Sequence, residues 1–279
     1  PAGSARRGLS APFAERWPAL RSMPWFPAIG DGVAANVGAG AVSPASVALT
    51  IGSTSAVRVV VEGDPPAIPW GLWCYRVDHR RSLPGSALSE GGNVHAWVKR
   101  ALELPAGDLD AALAAAEPDG HGLTVLPFWA GERGPGWAGD ARATIHGLTL
   151  ATTPLDILQA TLEAVAYRLA LIFDLLAGFV APDVRVVACG GALHASPAWM
   201  QMVADVLGRP VAAAATTEVS GRGAALLALE ALGYWERLED APAFLGETCE
   251  PRPAHYARYR AAMARQAELY RMLVQRRES

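Results

Sequence analysis

Between residues 155 and 176 apolar side chains return every three or four positions: Leu155, Leu158, Leu162, Val165, Leu169, Ile172 and Leu176. That period places them on one face of a helix. The preceding "TTPLD" supplies its start. Thr153 can cap, Pro154 suits the first turn, and Asp156 favours the positive end of the helix dipole. Gly178 offers a stop. Next, "VRVVAC" predicts a buried strand. "GGALHASPAWMQMVADVLG" then turns into a helix with Ser196 as cap and Pro197 at its first position. "PVAAA" predicts another strand, and Ser220 a cap for a helix over "GRGAALLALEALG".

The first half has a different rhythm. "VALTIGSTSAVRVVV", 47–61, predicts two strands around a Gly-Ser-Thr-Ser turn, because its β-branched density on both sides suits a hairpin. A short helix is expected within 12–20 and a buried strand over Trp25–Ile29. A further strand is expected over 71–77 and helices near 93–104 and 108–117, followed by a short strand at "LTVLPF". A hairpin-led β region followed by alternating helix and strand is an α/β pattern.

Composition narrows the function classes. With 279 residues, 51 % of them hydrophobic, the chain can bury one large core or two modest ones. A net charge of −3 gives neither a nucleic-acid footprint nor a basic membrane face. No apolar run reaches the roughly 18 residues of a membrane span. Cys74, Cys189 and Cys249 are scattered, as expected of reduced thiols in a cytoplasmic protein. The chain starts without Met or a secretory apolar segment, so the expectation is that it begins inside a longer protein.

Three glycine-bearing stretches are candidates for chemistry. In "CGGALHASPAW" a strand runs into Gly190-Gly191 and a capped helix, where a ligand can approach backbone. An ordinary turn has the same appearance. In "TIGSTSAV" the turn offers amides and hydroxyls to a phosphate, or is simply a polar hairpin turn. In "PWFPAIGDGVAANVGAG", Gly30-x-Gly32-x-x-Ala35 fits a dinucleotide fingerprint. However, Asp31 would place negative charge where a pyrophosphate should sit, and no βαβ unit follows. A carboxylate there suits a general base, or a helix cap, or both. Glu132 and Arg133 in "GERGP" are expected to form a structural ion pair. The six histidines show no metal-ligand spacing, and no G-x-S-x-G elbow is present.

The order of these stretches carries a resemblance. "AIGDGVAANVGAG", "LTIGSTSAV", "ALSEGGNVHAW", "PFWAGERGPGW" with "DARATIHGLTL", and "GGALHASPAWMQMVADVLGRPV" with "EVSGRGAALLAL" resemble the C-terminal ATPase half of the FGGY family of carbohydrate kinases. Ile145, Gly147 and Leu148, followed by Asp156, Ile157 and Ala160-Thr161-Leu162-Glu163, are similar to that family's second signature. "PWFPAIGDG", "LWCYRVD" and "ALSEGGNVHAW" look most like its gluconate kinase branch.

The resemblance implies an actin/hexokinase/Hsp70-like (ribonuclease H-like) ATPase domain with a mixed sheet flanked by helices. It implies residues 1–29 as a remnant of an N-terminal sugar-binding domain and 30–279 as the nucleotide-binding domain. Asp31 matches the catalytic base. Gly52 and Ser53, with Thr50 and Thr54 beside them, match the turn that meets the phosphates of ATP. Gly91 and Gly92 match a glycine pair on the nucleotide side. Gly190, Gly191 and Ala192 match the adenosine loop, with Ser196 at the start of its helix. "GERGP" matches a loop supporting the cleft. ATP with hydrated Mg²⁺ and a sugar or sugar acid, gluconate foremost, are the implied ligands. Xylulose, glycerol and other polyols are the alternatives. The family's Asp-x-Gly-Thr hairpin and most sugar-binding residues are not found here. The expected partners are therefore the missing half or a second copy of the chain, and a non-catalytic nucleotide-binding piece is the competing reading.

Overall fold

The computed structural model describes residues 5–242 and 244–275. It opens with β1 (Arg6–Arg7), α1 (Ala11–Arg16) and β2 (Pro24–Trp25), which pairs antiparallel with β1. The expected buried strand over Trp25–Ile29 does not form. Trp25 and Ile29 are 45 % and 40 % exposed, and Pro27 has no amide hydrogen to give a ladder. The apolar run instead crosses the surface.

The central layer follows. After α2 (Asp31–Gly38) come β3 (Ser46–Ile51), β4 (Ser55–Val59), β5 (Val61–Glu62), β6 (Trp73–Arg76) and β7 (Arg81–Leu88). Then come α3 (Gly92–Ala101), α4 (Leu109–Ala115), β8 (Thr124–Leu126), β9 (Thr144–His146) and α5 (Pro154–Leu175). The chain ends with β10 (Arg185–Cys189), α6 (Gly191–His194), α7 (Pro197–Leu207), β11 (Val211–Ala214), α8 (Val219–Ala231), β12 (Leu245–Cys249) and α9 (Pro253–Leu273). The sheet order is β12-β11-β10-β3-β4-β7-β5, with β6 also on β7. β10 runs parallel to β3 and β11, and the other pairs are antiparallel. The sheet is therefore mixed, and β3–β4 is the predicted hairpin.

The two faces of the sheet are built differently. Val47, Leu49, Ile51, Val57 and Val59 point to one face, where Leu158, Leu162, Val165, Leu169 and Ile172 of α5 pack with Trp199 and Val203 of α7. The alternate positions point to the other face, where Ala48, Val187 and Cys189 meet Ala35 and Ala39. α5 begins in a capping box: Thr153 Oγ1 accepts from the Asp156 amide, and the Asp156 carboxylate accepts from the Thr153 amide. Ser220 does not cap α8. That helix begins at Val219 with Glu218 ahead of it, so Ser220 lies inside its first turn. Among the described residues no helix is long and apolar enough to cross a membrane.

α2 and α8 touch backbone to backbone. A Cβ on Gly38 would lie 1.7 Å from the Val219 carbonyl oxygen, and one on Gly223 would lie 1.8 Å from that of Ala34. Gly221, in the same helix, faces open space. The same substitution should thus act with opposite sign two residues apart. Gly223→Ala is expected to cost about 3 kcal/mol or more, whereas Gly221→Ala should stabilise by roughly 0.5–1 kcal/mol. Urea midpoints of the two variants check this.

Candidate functional site

Asp31 occupies the first turn of α2, exposed, with its Oδ1 accepting from the Gly32 amide at 2.7 Å. It opens into a cavity of about 480 Å³. Thr50 from β3, Thr54 from the hairpin turn, and Ala56 and Arg58 from β4 line the same space. Trp73 and Tyr75 of β6 and Arg133 complete it. Thr50, Ala56 and Arg58 share the α2 face of the sheet because Thr50 is paired with Ala56, and Arg58 with Ala48.

The three glycine loops meet beside this cavity. The Gly52 amide donates to the Thr54 carbonyl at 2.9 Å, closing the turn. The Gly92 amide donates to the Gly52 carbonyl at 2.7 Å, and the Asn93 amide to the Ser53 carbonyl at 3.2 Å. Gly190 lies at φ 105°, the left-handed side where side chains are strained, and a Cβ there would be 2.3 Å from the Ile51 carbonyl oxygen. A Cβ on Gly91 would meet Thr54 at 2.8 Å, and Ala192 lies against Gly92. Thr50 Oγ1 and Cys189 Sγ, 3.2 Å apart, tie the hairpin to the strand that ends at Gly190. Asp31, Thr50 and Thr54 thus share a cavity, while Gly52, Ser53, Gly91, Gly92, Gly190 and Ala192 form one contiguous backbone cluster, with Gly191 exposed at its edge. Ser196 is placed otherwise. Its hydroxyl caps α7 by accepting from the Trp199 amide and donates to the Asp110 carboxylate, joining α4 to α7.

The expected Glu132–Arg133 pair is not formed. Glu132 turns inward, where Arg168, the Tyr270 hydroxyl and the Gly136 and Ala138 amides all donate to its carboxylate. Arg133 turns to the cavity. The two adjacent side chains leave the backbone in different directions, one to Arg168 and one to the cavity, so adjacency in sequence misled. Nearby, Glu90 is 2 % exposed, and burial pushes its carboxyl up to about 7 against the hydrogen bond it accepts from the Ala130 amide.

Arg58 and Arg133 were missed as site residues. The signal for Arg58 was one charge alternating with valines in "AVRVVV". A second cluster also escaped the histidine spacing: Asp119, His121 and Glu163 come within 4.8 Å of one another. Their hydrogen bonds are already committed. Glu163 accepts from the Asp119 amide, Gln159 and Tyr167 and faces His121 Nε2 at 3.0 Å, while Asp119 pairs with Arg265.

The chain is similar to known carbohydrate kinases. The FGGY family of carbohydrate kinases, C-terminal domain, matches residues 71–232. A gluconokinase of Bacillus subtilis is 29 % identical over 236 residues, covering 80 % of this chain and 46 % of the relative. A glycerol kinase of Enterococcus faecalis is 31 % identical over 231 residues, covering 80 % and 46 %. The crystal structure of a ligand-bound xylulose kinase from Lactobacillus acidophilus superposes with a TM-score of 0.87 at 24 % identity, covering 96 % of this chain and 56 % of that one. The gluconate kinase of the same species gives 0.87 at 23 %, covering 97 % and 56 %. The chain spans about half the length of the curated relatives it matches.

The buried charges beneath the site yield two expectations. Arg168→Met leaves the Glu132 carboxylate buried without its cation and should cost about 3–5 kcal/mol in urea unfolding. Folded Glu90 keeps its proton up to about pH 7, against an ordinary value of 4.5. The folded state therefore binds more protons in that window, and stability falls as pH rises through it. Glu90→Gln should remove this slope, so its melting temperature should gain on the wild type between pH 4 and pH 8.

Proposed function

This chain belongs to the FGGY family of carbohydrate kinases and has their actin/hexokinase-like ATPase fold, and from that premise we propose that it serves ATP-dependent phosphoryl transfer to a hydroxyl of a sugar or sugar acid, gluconate foremost. One observation supports this above the rest: the Asp31 carboxylate shares its cavity with Thr50 and Thr54 of the hairpin that carries the Gly52–Ser53 turn. Phosphoryl transfer asks a protein mainly for positioning and charge stabilisation. In this reading Asp31 accepts the proton of the attacking hydroxyl. The Gly52–Thr54 turn meets the β- and γ-phosphates, Gly91 and Gly92 brace it, and the Gly190–Ala192 loop lies under the adenosine. Ser196 acts at one remove by holding the helix that follows that loop.

Asp31 is the one carboxylate among the described residues that line the cavity. That donor set fits a Mg²⁺ held largely by phosphates and water, which supplies charge neutralisation when bound. Gluconate is favoured by the gluconokinase relatives, with glycerol and xylulose kinases as competitors. Three free cysteines fit a reducing, cytoplasmic setting. The remaining sugar contacts are assigned to an N-terminal kinase half, consistent with a chain spanning about half of its relatives. That same span favours a second reading, a nucleotide-binding piece without turnover of its own.

Asp31→Asn tests the assignment. In the protein carrying this chain, ATP affinity by calorimetry should be unchanged, while ADP release with gluconate should fall on the order of 10²–10⁴-fold. Undiminished turnover removes Asp31 from the base role. ATP binding without turnover in the wild type selects the second reading.

A further inference from the structure

The cavity beside Asp31 carries more positive charge than the protein answers. Arg76 at its rim is held by Asp64 at 2.5 Å. Arg58 and Arg133 form no ion pair among the described residues, and Arg58 Nε is buried with no hydrogen-bond partner. Burial pulls the Arg58 guanidinium below its ordinary pKa; Cys189, Asp31 and Tyr75 act the other way, while Arg133 opposes its charge. The positive end of α2 lies alongside as well. A cation held there without a partner calls for an anion.

The position of Arg58 is built, not incidental. A Cβ on Gly32 would come within 3.2 Å of its guanidinium, and a Cβ on Gly85 within 2.9 Å of its Cγ. Two glycines thus open the niche. The Trp73 ring lies 5.8 Å from the guanidinium and stacks on Tyr75 at 4.1 Å.

We propose that Arg58, with Arg133 on the same cavity, binds the carboxylate of a sugar-acid acceptor and so selects acids over neutral polyols. This rests on the kinase reading of the same cavity and specifies its substrate class. The ATP phosphates are the other possible anion, and placement argues against them. Arg58 lies four residues from Thr54, about 13 Å along the strand. It is paired with Gly85, which is itself paired with Trp73, at the end of the cavity away from the phosphate turn. A planar guanidinium also matches a carboxylate with two parallel hydrogen bonds.

The test uses the protein carrying this chain and two acceptors that differ at one carbon: D-gluconate, and D-glucitol, which has a hydroxymethyl in place of the carboxylate. Calorimetry should show the wild type binding gluconate at least about 10-fold more tightly. Arg58→Met should weaken gluconate about 10–100-fold and erase the preference, with ATP affinity unchanged. Arg58→Lys should retain part of it. Equal binding of the two acceptors by the wild type overturns the proposal and requires no variant to fold. So does an Arg58→Met protein that keeps its gluconate affinity, or one that loses ATP affinity in parallel. ADP release is read separately. Carboxylate-dependent binding without turnover defeats the kinase reading and leaves the assignment of Arg58. Equal kcat/KM for both acceptors does the reverse.

Discussion

The backbone contact between α2 and α8 sets where Asp31 stands in this molecule. Gly38 and Gly223 let the helices approach until carbonyl oxygens occupy the space where side chains would be. α2 then rests on a sheet face of small residues, Ala48 and Cys189 among them, through its own Ala35 and Ala39. Such a layer buries little area per residue. The large apolar burial lies on the opposite face, under α5 and α7. One face supplies most of the hydrophobic stabilisation. The other fixes, within a small tolerance, how far Asp31 stands from the hairpin turn.

Charge follows a similar division. Inside the protein, charges are answered closely. Arg81 lies between Asp78 and Glu230, Asp205 takes Arg252 and His255, and Glu132 takes Arg168 and Tyr270. Breaking such a pair is costly because the remaining charge has no solvent. Against that background the unanswered Arg58 stands apart. Its strand could have carried a valine, as its neighbours do. Instead two glycines clear space for a long cation, which is a structural outlay with no return inside the fold.

Local signals were the legible ones. The capping box at Thr153 and Asp156, the β3–β4 hairpin and the glycine loops each depend on residues a few positions apart. β7 was not legible, although all eight of its residues are buried. "RSLPGSAL" contains Pro84 and Gly85, which argue against a strand, and only pairing on both sides overrides them. α9 was missed as well. Its buried positions, Tyr259, Ala262, Met263, Gln266, Leu269 and Tyr270, do keep a helical period, but polar and charged residues dominate the rest. The inward turn of Glu132 was beyond the sequence, because distant partners, Arg168 and Tyr270, decide it. The surface course of Trp25–Ile29 did have a signal, Pro27, which cannot give an amide to a ladder. For the site, glycine placement could be read from order along the chain, whereas the chemistry of the cavity wall could not. Arg58 becomes a site residue only once Ala48, Gly85 and Gly32 are brought around it.

Strand β4 can be followed as a scale along the cavity. At its start the turn presents the exposed Ser53 and Thr54. Ala56, opposite Thr50, is small enough to leave a passage. At Arg58 the wall becomes cationic, beside Gly32, one residue from Asp31. In the proposed reading this order matches the polarity of the reaction. An acceptor held by its charged end at Arg58 is tethered away from the phosphates, so that end cannot compete for the turn. The rest of the acceptor extends along β4 toward Thr50 and Thr54, which share the cavity with Asp31. Holding the acceptor by the end that does not react allows binding energy to fix the end that does, at no loss to the charge developing on the phosphoryl group.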